Sequence, residues 1–434
     1  MNPALIAVVI FVLTYIVIAT EKVNRTVVAF AGTLLLILFG VFNINEAVGF
    51  INWETIGLLF GMFIIVAALS DAGFFTFLAL VLARWLKYSP RKIFIFFPII
   101  TAILAAFMDS VTVMLFFATL TYEICKILKM NATPLIITEV ILANIGGAAT
   151  MVGDPPNVIL GLKLGFYFND FIIHNAPISI LAGAVTLLYC YLVSRKSIAS
   201  SEEIPKKEFE EMDPAGAIED MKQFKVALAA FGTAIFFLIT HNYIEEYLHI
   251  SLKVPLAAMI PAFIMLIILG KRSEKILLKV DYGVLLFFMG LFMVVGALEH
   301  TGIIKIISGS IIDLFKGNHM GLLSTLLWGS GIASGVIDNV PFALSMAYIL
   351  QNIVKFAGVP ALSIMVWATS LGTDIGGNFT PIGASANVVA YATMEKRGQS
   401  IGWAKWLKLA VPATLIALTI SNIGIYIKYI TGFF

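Results

Sequence analysis

The chain has 434 residues, of which 60% are hydrophobic and only 12% are Asp, Glu, Lys or Arg. A soluble globular domain carries about 25% charged residues, so this chain has too little charge to cover a water-exposed surface. The net charge of +2 argues against nucleic acid as a partner, and two cysteines cannot build a disulfide framework. The composition therefore predicts a polytopic membrane protein with the lipid bilayer as its partner.

Eight apolar runs are long enough to be membrane-spanning helices. They cover residues 3–20, 26–43, 55–70, 176–193, 226–240, 254–269, 283–298 and 409–427. Two longer apolar stretches, 93–162 and 320–395, are broken by Gly, Pro, Asp and Asn. We assign one re-entrant hairpin and one interrupted span to each broken stretch. This assignment predicts an all-α protein with about ten transmembrane helices.

The basic residues are distributed unevenly between the two sides of the membrane. Successive loops between the predicted spans lie on alternate sides of the membrane. With the loops assigned in this way from the N-terminus, 22 of the 28 Lys and Arg residues fall on one side. The positive-inside rule makes that side cytoplasmic. Both termini are then expected outside, and the polar linker 194–224 is expected in the cytoplasm. We expect the protein to reside in a prokaryotic inner (plasma) membrane.

The second half of the chain repeats the first at an offset of 229 to 230 residues. GMFIIVAALSDAG (61–73) aligns with GLFMVVGALEHTG (290–302), and NIGGAATMVGDPPN (144–157) aligns with DIGGNFTPIGASAN (374–387). Each copy holds five spans, an odd number, so the two copies enter the membrane from opposite sides. Such inverted repeats are typical of secondary transporters, whose binding site lies at the midplane between the copies.

The repeats divide the chain into five segments. Residues 1–92 and 225–319 are predicted to form the scaffold helices of the first and second repeats. Residues 93–193 and 320–434 are predicted to form the transport parts, each with a hairpin and a broken helix. Residues 194–224 link the two repeats.

One acid lies in each predicted hairpin, Asp109 within AAFMDSVTVML and Asp338 within ASGVIDNVPFAL. An ionised carboxylate inside the bilayer costs about 2.5 to 3.5 kcal/mol on insertion scales. Each Asp is either only the N-cap of the returning helix or a cap that also binds a cation or a proton. We favour the second hypothesis because the acid recurs in both repeats. By contrast, Glu123 and Glu139 flank a cytoplasmic loop, and we expect both to reach the membrane surface.

The strongest local signals are the Gly-rich segments 144–157 and 374–387. Paired glycines permit unusual dihedrals, and Pro155 and Pro156 remove two amide donors and interrupt a helix. Backbone groups freed at mid-membrane depth are tolerated where they line a cavity. A kink that serves packing alone is the alternative. The predicted substrate- and ion-binding residues are Asp109, Ser110, Thr112, Asn144, Thr150, Gly153, Asp154, Asn157, Asp338, Asn339, Asp374, Asn378, Thr380, Gly383, Ser385 and Asn387. Among them, Asp109, Ser110, Asp338 and Asn339 are the predicted Na⁺ ligands.

Three motifs resemble those of the ion transporter superfamily, and most closely its arsenite-permease, P-protein and citrate-transporter-like group. They are FMDSVTVML, GGAATMVGDPPNVILG and GGNFTPIGASANVV. The resemblance implies a secondary transporter without enzymatic activity, a homodimer and an elevator-like movement of the transport part. In the related dicarboxylate/sodium symporters each hairpin tip carries Ser-Asn-Thr and helps to hold Na⁺ and substrate. Here each tip begins with an acid, which disfavours a dicarboxylate or citrate substrate.

Our leading hypothesis is an ion-coupled secondary active transporter of a small inorganic or organic anion. The resemblance favours an arsenite- or antimonite-type oxyanion, with Na⁺ or H⁺ as the coupling ion and no other cofactor. The alternative is a Na⁺/H⁺ antiporter that uses Asp109 and Asp338. A passive channel is more remote. An intramembrane aspartyl protease is also remote, because Met108 precedes Asp109 where that family has Tyr.

Overall fold

The structure, a computed structural model, consists of helices connected by short loops and turns. It describes residues 2–20, 22–199, 214–249, 251–315, 317–337, 339–357, 362–397 and 402–434. No strand occurs within these ranges. Asp338, the acid of the second hairpin, and residues 200–213 of the linker lie outside them.

The first repeat comprises eleven helices in the described residues. They are α1 (Pro3–Ala19), α2 (Arg25–Leu38), α3 (Ile44–Gly49), α4 (Trp53–Asp71), α5 (Phe74–Trp85), α6 (Pro90–Phe107), α7 (Ser110–Ile127), α8 (Ala132–Gly147), α9 (Pro155–Leu164), α10 (Phe168–His174) and α11 (Ala176–Ala199).

Apart from a counterpart of α10, the described residues of the second repeat follow the same order of long and short helices. They are α12 (Met221–Leu248), α13 (Val254–Leu269), α14 (Arg272–Leu277), α15 (Tyr282–His300), α16 (Ile303–Leu314), α17 (His319–Ser334), α18 (Asn339–Ala357), α19 (Leu362–Gly376), α20 (Ser385–Lys396) and α21 (Trp403–Thr431). Short 3₁₀ turns form at Pro214–Ala217 and Gly377–Phe379. Helices α4 to α9 correspond to α15 to α20, so the repeat seen in the sequence is also a repeat of structure.

The prediction of an all-α polytopic membrane protein is confirmed. In the described residues, seven helices are long and apolar enough to cross a membrane, and they are α4, α6, α7, α11, α12, α15 and α21. Shorter apolar helices, α1, α2, α8 and α13 among them, accompany these. Helices α6 and α7 form the first hairpin and α17 and α18 the second. The interrupted spans are α8 with α9 and α19 with α20.

Each hairpin packs tightly against the broken helix of its own repeat. Helix α6 contacts α8, and α17 contacts α19, through the two most extensive helix contacts of the described chain. Gly146 makes the first contact possible, because a Cβ there would overlap the backbone of Ala102. Gly376 makes the second, because its Cβ would overlap the backbone of Gly331. Backbone therefore packs on backbone in both copies.

The repeats also cross over at the ends of the broken helices. Helix α20 of the second repeat packs on hairpin arm α7 of the first, and α9 of the first packs on arm α18 of the second. The scaffold forms separately, mainly through α4 with α13 and α2 with α15. This arrangement brings both hairpin tips and both helix breaks to one place.

Two acids beside the loop between α7 and α8 have different environments. Glu123 is 41% exposed and forms an ion pair with Arg397. Glu139 is fully buried, and its Oε1 accepts a 2.7 Å hydrogen bond from Thr121 Oγ1. The expectation that Glu139 reaches the membrane surface is wrong, because α7 covers that face of α8.

Candidate functional site

A cavity of about 250 Å³ lies where the two repeats and the scaffold meet. The first repeat contributes Asp109 and Ser110 from its hairpin tip and Asp154 from its break. The second repeat contributes Asn339 from its hairpin tip and Ser385 from the start of α20. Residues far apart in sequence but related by the repeat thus face a single space.

The tip of the first hairpin is capped by its acid. Asp109 Oδ2 accepts a 3.0 Å hydrogen bond from Thr112 N and a 3.2 Å bond from Thr112 Oγ1. Asp109 is therefore the N-cap of α7, as one of the two hypotheses requires. Because Asp109 also lines the cavity, its binding of a cation or proton stays a prediction.

Asp154 holds the two hairpin tips together. Its Oδ1 accepts a 3.4 Å hydrogen bond from Ser110 Oγ, and its Oδ2 accepts a 3.1 Å bond from Asn339 Nδ2. The residue precedes α9, but its side chain makes no capping bond to that helix. The carboxylate instead bridges elements of both repeats, at the edge of the cavity.

The asparagines of the two breaks are part of the frame of the site. Asn157 Nδ2 donates 3.1 Å hydrogen bonds to the carbonyl oxygens of Gly147 and Thr150. Asn387 Nδ2 donates 2.8 Å bonds to the two carbonyls at the matching positions of its own repeat. Both side chains therefore satisfy the backbone that the break exposes, and neither lines the cavity.

The threonines of the breaks fasten each break to its hairpin. Thr150 Oγ1 donates to the carbonyl of Ala106, and Thr380 Oγ1 donates over 2.6 Å to the carbonyl of Gly335. The predicted binding residues Gly153 and Gly383 also pack against backbone, where a Cβ would overlap a carbonyl oxygen. These residues shape the site without lining it.

A third group lies deeper, behind the cavity. Asn144 Nδ2 donates 2.8 Å hydrogen bonds to the Oδ1 atoms of Asn378 and Asn387. Asp374 occupies the position that Asn144 has in the first repeat, and it is fully buried. The structure thus separates the predicted residues into a cavity wall, a frame and a buried polar layer.

The scaffold supplies charged wall residues that the sequence did not indicate as binding residues. Arg25 Nη1 donates a 3.0 Å hydrogen bond to Ser385 Oγ, and its guanidinium lies 4.9 Å from the centre of the Phe287 ring. Lys279 also faces the cavity and forms an ion pair with Asp71. In sequence, Arg25 and Lys279 are indistinguishable from the other basic residues that set the orientation.

The citrate transporter family matches residues 15–372 of the chain. The chain belongs to the citrate transporter family. The match begins near the end of α1 and ends within α19, just before the second break. The protein is accordingly a membrane-embedded transporter.

Relatives of similar length support this assignment. An uncharacterized transporter of Mycobacterium tuberculosis is 32% identical over 432 residues, covering 98% of this chain and 99% of that protein. A 46 kDa membrane protein of Mycobacterium leprae is 32% identical over 437 residues, with the same coverage. The human P protein is 28% identical over 496 residues, which cover 96% of this chain but only 59% of the P protein.

The fold also matches a solved transporter. The YdaH transporter of Alcanivorax borkumensis superimposes with a TM-score of 0.64, covering 100% of this chain and 99% of that chain. The sequence identity is only 11%, so this similarity concerns the fold alone. The resemblance to the P-protein and citrate-transporter-like group is confirmed.

Proposed function

We propose that this protein is an ion-coupled secondary active transporter of a small anion. The observation that supports this most is the convergence of both hairpin tips, both broken helices and a scaffold arginine on one cavity. Polar backbone and side chains at mid-membrane depth are tolerated where they serve a transported solute. A site shared between repeats also permits access from either side of the membrane.

The charges around the cavity favour an anion that carries little charge itself. Arg25 places a guanidinium beside Ser385, and a guanidinium binds oxyanions through paired N–H groups. Asp109, Asp154 and Asp281 face the same space and would repel a multiply charged anion. We therefore favour an arsenite- or antimonite-type oxyacid over citrate, although citrate gives the family its description.

The packing of the transport part supports an elevator-like movement. Hairpin and broken helix meet backbone on backbone in each repeat, so they would move as one body against the scaffold. The scaffold residues of the cavity lie at the start of α2, the end of α4 and the start of α15. The alternation predicted from the sequence would put these ends on the cytoplasmic side, which supports an inward-facing state. We also propose that the protein is a homodimer in the plasma membrane with both termini outside.

The acids of the cavity favour a second candidate function. Lys279 already pairs with Asp71, so Arg25 faces three carboxylates across the cavity. A cation at Asp109, Ser110 and Asn339 would balance this excess of negative charge. Such a site suits Na⁺ as the coupling ion of an anion transporter, and it equally suits a Na⁺/H⁺ antiporter that moves no anion.

Transport by the purified protein in proteoliposomes tests both candidates. Radiolabelled arsenite and citrate are the probes, and each is offered with no gradient, a Na⁺ gradient or a pH gradient. We expect saturable arsenite uptake that one of the gradients accelerates. Arsenite uptake that is absent, or that never saturates, contradicts the anion transporter.

The antiporter is tested in the same vesicles without any anion probe. An entrapped pH-sensitive dye reports internal pH while an inward Na⁺ gradient is imposed. Alkalinisation of the vesicle interior driven by Na⁺ influx, absent from protein-free vesicles, would establish the antiporter. A constant internal pH excludes it.

A further inference from the structure

A second cavity, of about 370 Å³, adjoins the cavity of the candidate site. Arg25, Val111 and Ser385 line both spaces, so these three residues form the partition between them. The rest of the described wall comes mainly from the loop between α1 and α2 and from α20, with Val336 of the second hairpin tip beside them. The second cavity therefore lies in front of the site, on the side of the α1–α2 loop.

The second cavity reaches the surface of the protein. Val23 of the α1–α2 loop is 48% exposed, and Val336 of the second hairpin tip is 63% exposed. Lys22 and Asn24, in the same loop as Val23, are exposed as well. Because this loop is expected in the cytoplasm, a solute from that side would reach the second cavity before the cavity of the site.

The two cavities differ in charge. The second cavity is lined by Lys22 and Arg25 and, among the described residues of its wall, by no acid. The described wall of the site contains three acids and two basic residues. A narrow space lined by one sign of charge concentrates small ions of the opposite sign. The second cavity is thus suited to a small anion, whereas the acids of the site need a cation beside any anion.

Arg25 closes the partition with a hydrogen bond between the scaffold and the transport part. Its Nη1 donates over 3.0 Å to Ser385 Oγ at the start of α20, and its guanidinium lies 4.9 Å from the centre of the Phe287 ring. The hydroxyl of Ser385 is a neutral acceptor, and an oxyanion is a stronger partner for a guanidinium. An anion in the second cavity can therefore replace Ser385 at Arg25 and open the partition.

We propose that the second cavity is a capture site for a small oxyanion, which Lys22 and Arg25 bind before it passes Ser385 into the cavity of the site. The proposal rests on the function proposed above, because it states where the anion of that transporter first binds. Lys22 acts in capture alone, whereas Arg25 acts in capture and in passage. The phosphate of an anionic lipid headgroup has the same chemistry, so the experiment has to distinguish a dissolved anion from a lipid.

Charged thiol reagents measure the electrostatic potential of the second cavity without a transported substrate. Val388→Cys places a thiol on its α20 wall, and both native cysteines, Cys125 and Cys190, are buried. The probes are an anionic sulfonatoethyl and a cationic trimethylammonioethyl methanethiosulfonate, applied to the protein in phosphatidylcholine nanodiscs. After each rate is divided by that of a free thiol in solution, we expect the anionic reagent to react about tenfold faster. Equal rates, or a faster cationic reagent, overturn the proposal.

Substitutions of Lys22 in the Val388→Cys background test whether that side chain supplies the potential. Lys22→Gln should reduce the preference roughly threefold, Lys22→Arg should retain it, and high salt should weaken it in every variant that has it. Lys92→Gln is the matched control, since it removes an exposed basic residue of α6 that lines neither cavity. The same preference in Lys22→Gln and Lys92→Gln contradicts the role of Lys22.

Protection of the same thiol against an uncharged maleimide separates the two sources of anion. Inorganic phosphate should slow the modification in phosphatidylcholine nanodiscs, whereas phosphatidylglycerol without added phosphate should not. Protection by phosphatidylglycerol alone would assign the cavity to a lipid headgroup and overturn the capture site.

Uptake of arsenite into proteoliposomes, at an alkaline pH where the oxyanion is ionised, then connects the second cavity with transport. Lys22→Gln should raise the KM roughly threefold and change the maximal rate less, because Lys22 acts before the site. Lys92→Gln should keep both values. A KM that Lys22→Gln leaves unchanged, although the reagent preference is lost, would remove the cavity from the transport route and overturn the proposal. If arsenite is not transported but the preference and the phosphate protection are found, the arsenite function fails and the anion-binding cavity stands.

Discussion

Asn339 Nδ2 lies 3.1 Å from Asp154 Oδ2, so the second hairpin is bound at its tip by a residue of the first repeat. The other oxygen of Asp154 accepts a hydrogen bond from Ser110, at the tip of the first hairpin. Because one carboxylate connects both tips, its charge affects both hairpins together.

Replacing Asp154 by Asn should disconnect the hairpin tips. The amide keeps the size of the side chain, but it is uncharged and has a single acceptor oxygen, so it cannot accept from both Ser110 Oγ and Asn339 Nδ2 as the carboxylate does. We expect a loss of roughly 1 to 3 kcal/mol in stability, typical of a broken buried hydrogen bond to a charged group, and at least tenfold slower transport. Thermal unfolding in detergent and uptake in proteoliposomes measure the two effects. Glu54→Gln, an exposed residue of α4, is the control, and equal behaviour of the two variants would refute the bridging role.

Substitutions of Asp109 should separate its capping role from its ionic role. Asn is as good an N-cap as Asp, so Asp109→Asn should retain stability within roughly 0.5 kcal/mol, whereas Asp109→Ala should lose about 1 kcal/mol. If the carboxylate binds a cation or proton, both variants lose coupled transport. Thermal shift and uptake assays distinguish the cases. Full transport by Asp109→Asn would exclude the ionic role and show that Asp109 acts only as the N-cap of α7.

Arg25 should determine the affinity for an anionic substrate. Arg25→Ala removes the guanidinium beside Ser385 and should raise the KM for arsenite at least tenfold. Arg25→Lys keeps the charge but loses the fork geometry, so we expect an intermediate KM. Concentration series of initial uptake rates provide the measurement. Arg91→Ala, which removes an exposed charge at the start of α6, is the control. A KM unchanged in Arg25→Ala contradicts the assignment.

Gly146→Ala should destabilise the transport part by about 1 to 3 kcal/mol, as overpacking does. The added methyl group would overlap the Ala102 backbone, which cannot move without displacing α6. Gly232→Ala is the matched control, because nothing lies within 4 Å of its Cβ position on α12. That substitution should be neutral or slightly stabilising, since Ala favours helix more than Gly. Melting temperatures in detergent compare the pair, and similar values for both would refute the backbone contact.

The order of the helices, the repeat and the positions of the breaks could all be predicted from the sequence. These features depend on local properties: the length of apolar runs, and the Gly, Pro and Asp residues that interrupt them. Pro155 shows this directly, because it begins α9 at a position where its missing N–H costs nothing. The hairpin acid Asp109 was likewise identified from its place in an apolar run.

Which residues of the site line the cavity and which only support its frame could not be predicted in the same way. Asn157 and Asp154 are both polar residues of one break, and only the fold shows that the first satisfies backbone carbonyls while the second faces the cavity. The cavity role of Arg25 depends on how α2 packs against the transport part, which no local pattern records. The prediction that Glu139 reaches the membrane surface was wrong for the same reason, since its burial depends on the neighbouring α7.

The backbone contacts at Gly146 and Gly376 also restrict how this transporter can diversify. Neither position accepts a side chain, so descendants of this sequence must keep the frame around both helix breaks nearly as it is. New substrate preferences can arise only where side chains face the cavity, as Arg25 and Ser385 do. If the frame around the breaks is kept and only the side chains of the cavity wall change, transporters that descend from one duplicated ancestor could carry chemically different solutes.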